Sequence, residues 1–296
     1  MCIAGIIAVG YQLLASGFQL PPLYPVTCTL DTVHPSIFHY IFLAFAAGLG
    51  GLVNSVAGGG GFLVFPSLLK AGLLPIQANA TGTVALWPGQ FTSIAGYREE
   101  LKKNLRLVIP VVLVAFIGGL AGAITLLKGS QDSFLRLVPY LFLLGSVSFA
   151  LSGPISKMVR RRAADHIAHP EHRTRIYVVP MLASQLVISY YIGYFGAGAG
   201  LLTLAALALC GVDGIAEMNA LKVVLTTTAN GVAVITFMIA GAVEWRFAWL
   251  MMIACAIVGY TGARNARRIS DRILRPIIIV LGFVIAVYFF IHRKGM

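Results

Sequence analysis

The sequence predicts an all-α, polytopic membrane protein made of two inverted repeats, each holding about five transmembrane or re-entrant helical segments. Composition is the first reason. Of the 296 residues, 58% are hydrophobic and only 11% are charged, and the mean hydropathy is +0.88. Soluble domains are usually about one quarter charged, so a water-soluble globule is excluded. The second and third reasons are ten separate apolar runs and a set of landmarks that recur in both halves of the chain.

The apolar runs give the elements in order. A membrane helix needs about 20 predominantly apolar residues, and eight of the runs are close to that length. The other two would cover only about 20 Å of a hydrocarbon core about 30 Å thick. Since both follow a glycine cluster, we expect each to form a re-entrant hairpin with the run before it. The predicted segments are 36–57, 61–74, 78–96, 107–127, 134–152, 177–195, 199–211, 218–241, 247–263 and 276–292.

Landmarks of the first half recur in the second half at an offset of 139 or 140 residues. Self-similarity at a fixed period indicates an internal repeat, and each unit holds five segments. Because five is odd, the second unit should lie upside down relative to the first. The matched landmarks are Gly59, Gly61 and Gly72 with Gly198, Gly200 and Gly211; Asn79-Ala80 with Asn219-Ala220; Gly119, Gly122 and Ala123 with Gly259, Gly262 and Ala263; and Asp132, Leu135 and Arg136 with Asp271, Leu274 and Arg275.

The basic residues predict the orientation in the membrane and account for most of the net charge of +12. Of the 22 Lys and Arg, 15 lie in the connections 97–106, 153–176 and 264–275, which fall on one side of a ten-segment chain. The positive-inside rule makes that side cytoplasmic, so the charge does not indicate a nucleic-acid partner. The resulting units are an N-terminal lead-in at 1–35, which could form an extra span, a first repeat at 36–152, a cytoplasmic loop at 153–176 and a second repeat at 177–296.

The two glycine clusters are the candidate substrate site. A helix begins after each cluster, so its free N–H groups and partial positive charge face the turn, where glycine lets a ligand approach the backbone. Short or broken helices at matching places in inverted halves are the best sequence indication of a transporter site, and this one favours an anion. Tight helix packing is the alternative reading. The candidate glycines are Gly58, Gly59, Gly60, Gly61, Gly196, Gly198 and Gly200.

Polar residues beside these turns complete the predicted site. Lys222 lies inside a predicted span, where a lysine is costly and marks function by default. We expect it to act as the countercharge for an anion, with snorkelling to the interface as the alternative. Five other side chains are expected to bind the substrate by hydrogen bonds, although ordinary interhelical bonds are the competing role: Asn79, Thr81, Gln90, Asn219 and Asn230.

Several residue patterns needed for catalysis or ion coupling are absent from the sequence. All ten acidic residues fall in predicted loops or at segment ends, so there is no buried carboxylate relay of the kind that ion pumps use. No P-loop occurs, and the four cysteines show no C-x-x-C or Cys/His metal spacing; His166, His169 and His172 are better explained by a solvated charged loop than by metal or pH sensing. We therefore expect no catalytic residue, no metal and no cofactor. An exported anion could use the membrane potential directly, without a separate coupling ion.

A resemblance to a known family rests on one glycine-rich run and its second copy. Asn54 to Pro66 reads NSVAGGGGFLVFP, Ala80-Thr81 follows, and 196–200 reads GAGAG. This pattern resembles the TauE/SafE (DUF81) family of sulfite and organosulfonate exporters over about residues 38–291. The resemblance implies a bacterial inner-membrane permease for small sulfur-containing anions such as sulfite, sulfoacetate or taurine-derived products. It assigns no binding residue one by one.

The sequence thus predicts a secondary transporter, not an enzyme, in the plasma (bacterial inner) membrane. Its expected partners are a small anionic substrate and the lipid bilayer, and a homo-oligomer is left open. We expect alternating access, in which one repeat moves against the other. A passive anion channel and a non-transport membrane assembly factor are the alternatives.

Overall fold

The computed structural model describes residues 37–103, 105–168, 177–212, 214–265 and 271–291. Within these ranges the chain forms eleven helices and no strand, which confirms the predicted all-α class. The predicted lead-in at 1–35 lies outside them. The helices are α1 (Ile37–Ala57), α2 (Gly61–Lys70), α3 (Pro75–Gly96), α4 (Arg98–Lys103), α5 (Leu105–Lys128), α6 (Gln131–Ala168), α7 (Val178–Tyr194), α8 (Ala199–Leu209), α9 (Ile215–Ile239), α10 (Trp245–Asn265) and α11 (Asp271–Ile291).

Several helices are apolar on all sides, as expected of a protein surrounded by lipid. In α5, Leu113 and Ile117 are 58% and 59% exposed, while Gly118 and Gly119 on the opposite face pack against α7 and α9. A helix that is hydrophobic all round indicates a membrane environment. Among the described residues, four stretches are long and apolar enough to cross a bilayer: Ile37–Asn54, Leu105–Lys128, Gln131–Leu151 and Ala216–Ile239.

The two short predicted segments form the short helices α2 and α8, of 10 and 11 residues. Both begin at the predicted glycine clusters and end in the same kind of turn. The N–H of Leu73 donates to the carbonyl of Leu68, and the N–H of Val212 donates to that of Leu207. These two bonds lie 139 residues apart, the offset of the repeat. At about 15 Å each, neither helix is long enough to cross the hydrocarbon core.

The packing of the helices has the same pattern in both halves. Helix α1 packs on α10 and α7 packs on α5, while α3 contacts α10 and α9 contacts α5. We take α1, α3, α5 and α6 of the first half to correspond, in that order, to α7, α9, α10 and α11 of the second half. The contact of α1 with α10 is then equivalent to that of α7 with α5, and the contact of α3 with α10 is equivalent to that of α9 with α5. The contacts of α3 with α9 and of α6 with α11 map onto themselves. A two-fold axis between the halves would produce this pattern, and the inverted orientation is kept as a proposal.

A cluster of phenylalanines fixes α2 to its neighbours. Phe62 of α2 contacts Phe142 and Phe149 of α6 edge-on, with ring centroids 5.2 Å and 5.7 Å apart. Phe65 of α2 contacts Phe195, which precedes the second glycine turn, at 5.6 Å. T-shaped pairs at such distances add stability beyond the area that they bury. The cluster therefore couples the first short helix to the turn that starts the second one.

Two regions predicted as loops are helical. The connection 97–106 contains the short helix α4, and α6 continues through Pro154 to Ala168, far into the predicted loop 153–176. The reason is composition. The stretch 155–168 is rich in Ala, Arg, Lys and Met, which have a high helix propensity whether they are apolar or charged. The rest of the predicted loop, 169–176, lies outside the described residues.

Candidate substrate-binding site

A cavity of about 120 Å³ lies between the two glycine turns and helices α3 and α9. This volume is several times what one water molecule requires. Gly61 and Gly200, in the first turns of α2 and α8, line it, so the positive ends of both helix dipoles border the same space. Eight of the predicted binding residues line the cavity: Gly58, Gly61, Asn79, Gln90, Gly196, Gly200, Lys222 and Asn230.

The two glycine turns adjoin each other although they are far apart in sequence. A Cβ atom built on Gly58 would lie 3.8 Å from the Cα of Gly200, and one on Gly61 would lie 3.6 Å from the Cβ of Ala197. The backbone of Gly58 and that of Gly198 are left-handed, with φ of 74° and 78°. Other residues rarely adopt this conformation. Glycine is therefore required for the shape of the turns, whereas a methyl group at Gly58 or Gly61 would make only ordinary contact with the other turn.

Lys222 brings a positive charge to this cavity. Its Cδ lies 3.7 Å from the position of a Cβ on Gly200, so the aliphatic chain runs beside the second turn. Among the described lining residues it is the only ionisable one. No carboxylate in the described ranges forms an ion pair with its ammonium group. The charge is therefore available to an anion, because nothing described in the protein neutralises it.

Amide side chains from both halves meet at the cavity. Asn230 Nδ2 donates to Gln90 Oε1 at 2.9 Å, and Asn79 Nδ2 donates to the carbonyl of Tyr194 at 3.2 Å. The first bond occupies the oxygen of Gln90 and leaves its amide N–H groups as donors. The cavity thus presents an ammonium group, amide donors and helix N-termini, a set suited to oxyanions.

Hydrogen bonds outside the cavity hold its walls in place. Trp87 Nε1 donates to the carbonyl of Thr227 at 3.1 Å and joins α3 to α9. Tyr191 donates from its hydroxyl to the carbonyl of Ala197 at 2.6 Å. This bond positions the second glycine turn.

The other five predicted residues do not line the cavity and have structural contacts. A Cβ on Gly59 would meet Phe149, and one on Gly60 would meet the carbonyl of Gly50. Thr81 is fully buried, and its hydroxyl accepts the N–H of Glu244 at 3.0 Å. The five are Gly59, Gly60, Thr81, Gly198 and Asn219.

The cavity lining also includes apolar residues and two glycines that sequence reasoning missed. Gly82 and Gly89 lie two turns apart on α3, and Gly82 is equivalent to Lys222 at the offset of 140. That spacing of small residues on a polar helix was the available signal. The apolar lining residues could not be identified from the sequence, because apolar residues are common throughout a membrane protein. They are Val64, Phe65, Leu86, Ile192, Phe195 and Val223.

Comparison with known proteins gives one family. The sequence pattern of the family described as "Sulfite exporter TauE/SafE" matches residues 43–289. The probable membrane transporter protein YfcA of Escherichia coli strain K12 is 26% identical over 260 residues, which is 87% of this chain and 91% of that protein. The probable membrane transporter protein ORF9 of Sinorhizobium is 24% identical over 84% of this chain and 92% of its own length.

A third relative, a probable membrane transporter protein of Haemophilus influenzae, is 22% identical over 78% of this chain and 87% of its own length. No solved structure matches the chain significantly. The similarity therefore extends over nearly the whole transmembrane region, including both glycine turns.

Proposed function

The chain belongs to the sulfite exporter TauE/SafE family and is a multi-pass membrane transporter of the bacterial inner membrane, and we propose that it exports small sulfur-containing anions such as sulfite or organosulfonates. The observation that carries this proposal is Lys222, unpaired among the described residues, in a cavity bordered by two helix N-termini. An intramembrane cation without a counter-ion in the protein is expected to bind a charged ligand.

The lining supports an oxyanion with one negative charge and a small apolar part. One ammonium group balances one charge in a low-dielectric site, whereas a second uncompensated charge would be costly. The amide donors of Gln90 and Asn79 suit the oxygens of such a headgroup. Phe65, Phe195 and Leu86, which also line the cavity, would contact a short hydrocarbon. An alkanesulfonate has all of these properties, and hydrogen sulfite has the single charge and the oxygens but no hydrocarbon.

The proposed mechanism is alternating access between two inverted halves. Each half supplies one glycine turn and one amide-bearing helix to the cavity, so movement of one half against the other would expose the substrate to each side in turn. Export of a monoanion can be driven by the membrane potential, which is worth about 2.3 kcal/mol per charge per 100 mV.

Counterflow in proteoliposomes tests the proposal. Purified protein is reconstituted with unlabelled sulfite or a short alkanesulfonate inside, and uptake of the labelled anion is followed with and without an imposed potential. We expect saturable uptake that responds to the imposed potential, with an inside-negative potential lowering the amount of labelled anion retained. A passive channel would give flux without counterflow. Absence of exchange with every sulfur anion, in vesicles that contain folded protein, would contradict the proposed substrate.

A further inference from the structure

Two oxygen atoms in the membrane interior have no hydrogen-bond partner. They are Oε1 of Gln185 and Oγ of Ser189, and both side chains are 0% exposed. The two residues are four positions apart on α7, so they lie on the same face of the helix, one turn from each other. A buried acceptor without a partner costs free energy and calls for a ligand or a water.

The hydroxyl of Ser189 differs from its neighbours. A serine or threonine in a membrane helix usually donates to a carbonyl of its own preceding turn. Ser146 donates in this way to Phe142 and Ser184 to Met181. In the described part of the chain, Ser189 is the one serine or threonine with a buried hydroxyl that lacks any partner.

Thr203 of α8 lies next to Gln185 and carries another buried oxygen. Thr203 is fully buried, and its hydroxyl donates its proton to the carbonyl of Ala199 at 3.0 Å, so its lone pairs are left as acceptors. Gln185 Nε2 lies 3.5 Å from the carbonyl oxygen of Thr203, so the glutamine side chain reaches across to α8. The cluster therefore offers neutral oxygen acceptors from two helices.

We propose that Gln185, Ser189 and Thr203 hold a monovalent cation of the size of Na⁺ between α7 and α8. Backbone carbonyls at discontinuous helices coordinate Na⁺ in transporters, and the side-chain carbonyl of Gln185 and the two hydroxyls are likewise neutral oxygen donors. A divalent ion does not suit the cluster, because its three members carry no negative charge to offset a double charge in low dielectric.

The position of the cluster connects it to the anion cavity. Ile192 and Ala199 both line the cavity. Ser189 lies about one turn before Ile192 on α7, and Thr203 lies one turn after Ala199 on α8. A cation there would attract an anion in the cavity, so each ion would raise the affinity for the other. This coupling rests on the proposed transport of an anion, whereas the cation site itself does not.

The test measures the thermal stability of the purified full-length protein in detergent without substrate. NaCl is exchanged for choline chloride at constant ionic strength, so the chloride concentration does not change. A ligand that binds only the folded state raises the Tm in a saturable manner. We expect a rise of several degrees with sodium and none with choline. No sodium-specific rise would overturn the proposed site.

Variants test which residues the sodium-dependent rise in Tm requires. Gln185→Met and Ser189→Ala remove the two unpartnered oxygens, and we expect both to lose the sodium shift while their sodium-free Tm is equal to or above that of the parent. Thr203→Val provides a third, independent removal of a ligand. Ser184→Ala, on the same helix but with a satisfied hydroxyl, should keep the full shift.

Three further outcomes are decisive. If the variants lower the sodium-free Tm and the parent shows no sodium shift, the cluster holds a buried water only and the proposal is wrong. If sodium raises the Tm but leaves the apparent anion affinity in counterflow unchanged, the proposed coupling between the two ions is contradicted and the proposed cation site is supported. Loss of anion exchange together with an intact sodium shift would count against the proposed substrate alone.

Discussion

Asn230 donates a hydrogen bond of 2.9 Å to Gln90, and these two residues lie 140 positions apart, the offset at which the two halves repeat. Trp87 and Thr227 are bonded at the same separation. Equivalent residues of two related units can meet only close to the axis that relates them. The cavity next to these bonds therefore lies where the two halves meet, which supports the proposed two-fold relation.

The Gln90–Asn230 bond should couple α3 and α9 energetically. We expect the variants Gln90→Ala and Asn230→Ala to be non-additive in a double-mutant cycle of the free energy of unfolding. Hydrogen bonds between membrane helices average about 0.6 kcal/mol and reach about 1.7 kcal/mol, so the coupling should fall in that range.

Thr236 provides the control for this cycle. It lies on α9 with Asn230, but its hydroxyl donates within the helix to Val232. The pair Gln90→Ala and Thr236→Ala should therefore be additive. A coupling of zero for Gln90 with Asn230, measured with the same method, would mean that the bond does not join the halves.

Replacement of Lys222 should reduce anion affinity. A hydrogen bond to a charged group contributes about 1.5–3 kcal/mol, so Lys222→Met should weaken binding roughly tenfold to a hundredfold, measured as the half-saturation concentration in counterflow. Lys70→Met is the matched control, since Lys70 is exposed and stacks over Phe42 at 5.2 Å, away from the cavity. Unchanged affinity in Lys222→Met would exclude the lysine from the site.

A methyl group added at Gly200 should weaken anion binding without changing stability. A Cβ on Gly200 would make only ordinary contact, 3.7 Å from Lys222 Cδ, so Gly200→Ala should fold with unchanged stability. It should nevertheless weaken anion binding about tenfold or more, because one methyl group in a tight pocket is worth about 1–3 kcal/mol. Thermal unfolding and counterflow on the same preparation measure both quantities.

Two other glycine variants serve as controls for Gly200→Ala. Gly153 in α6 has open space around it, so Gly153→Ala should raise stability by up to about 1 kcal/mol and leave affinity unchanged. Gly58 has a φ of 74°, so Gly58→Ala should lower stability by about 1–2 kcal/mol. Equal effects of Gly200→Ala and Gly153→Ala on affinity would contradict the position of the site.

Thr81 should prove structural. Thr81→Val removes the acceptor of the Glu244 N–H, and we expect a loss of about 1 kcal/mol of stability with unchanged anion affinity. Thr125→Val, which removes an exposed hydroxyl bonded within its own helix, should change neither. A fall in affinity with Thr81→Val, at equal stability, would return this residue to the binding site.

The helix limits followed from the sequence because glycine and apolar length set them locally. The predicted run 61–74 became α2 at Gly61–Lys70, and the run 199–211 became α8 at Ala199–Leu209. Helix α6 continues to Ala168, beyond the predicted end at residue 152. Hydropathy indicates where the apolar segment ends, but it does not indicate where a helix that continues into water ends. Propensity, summed over Ala, Arg and Lys, was the better guide there.

The site was predictable where its chemistry is rare in a membrane. Lys222 and the amide of Asn230 are costly in lipid and therefore indicated function, and both line the cavity. Thr81 and Asn219 looked the same in sequence but do not line the cavity. Which face of a helix meets the cavity depends on packing with a distant segment, and no local pattern records it.

The length of α6 has a mechanical consequence. Its 38 residues span about 57 Å, nearly twice the hydrocarbon thickness of about 30 Å, so one end stands in water. If the proposed alternating access tilts this helix within the bilayer, a small tilt becomes a larger displacement at the end that lies in water. A fluorescent label near Ala168 would convert transport motions that are too small to resolve at the cavity into a measurable change of distance from the membrane surface.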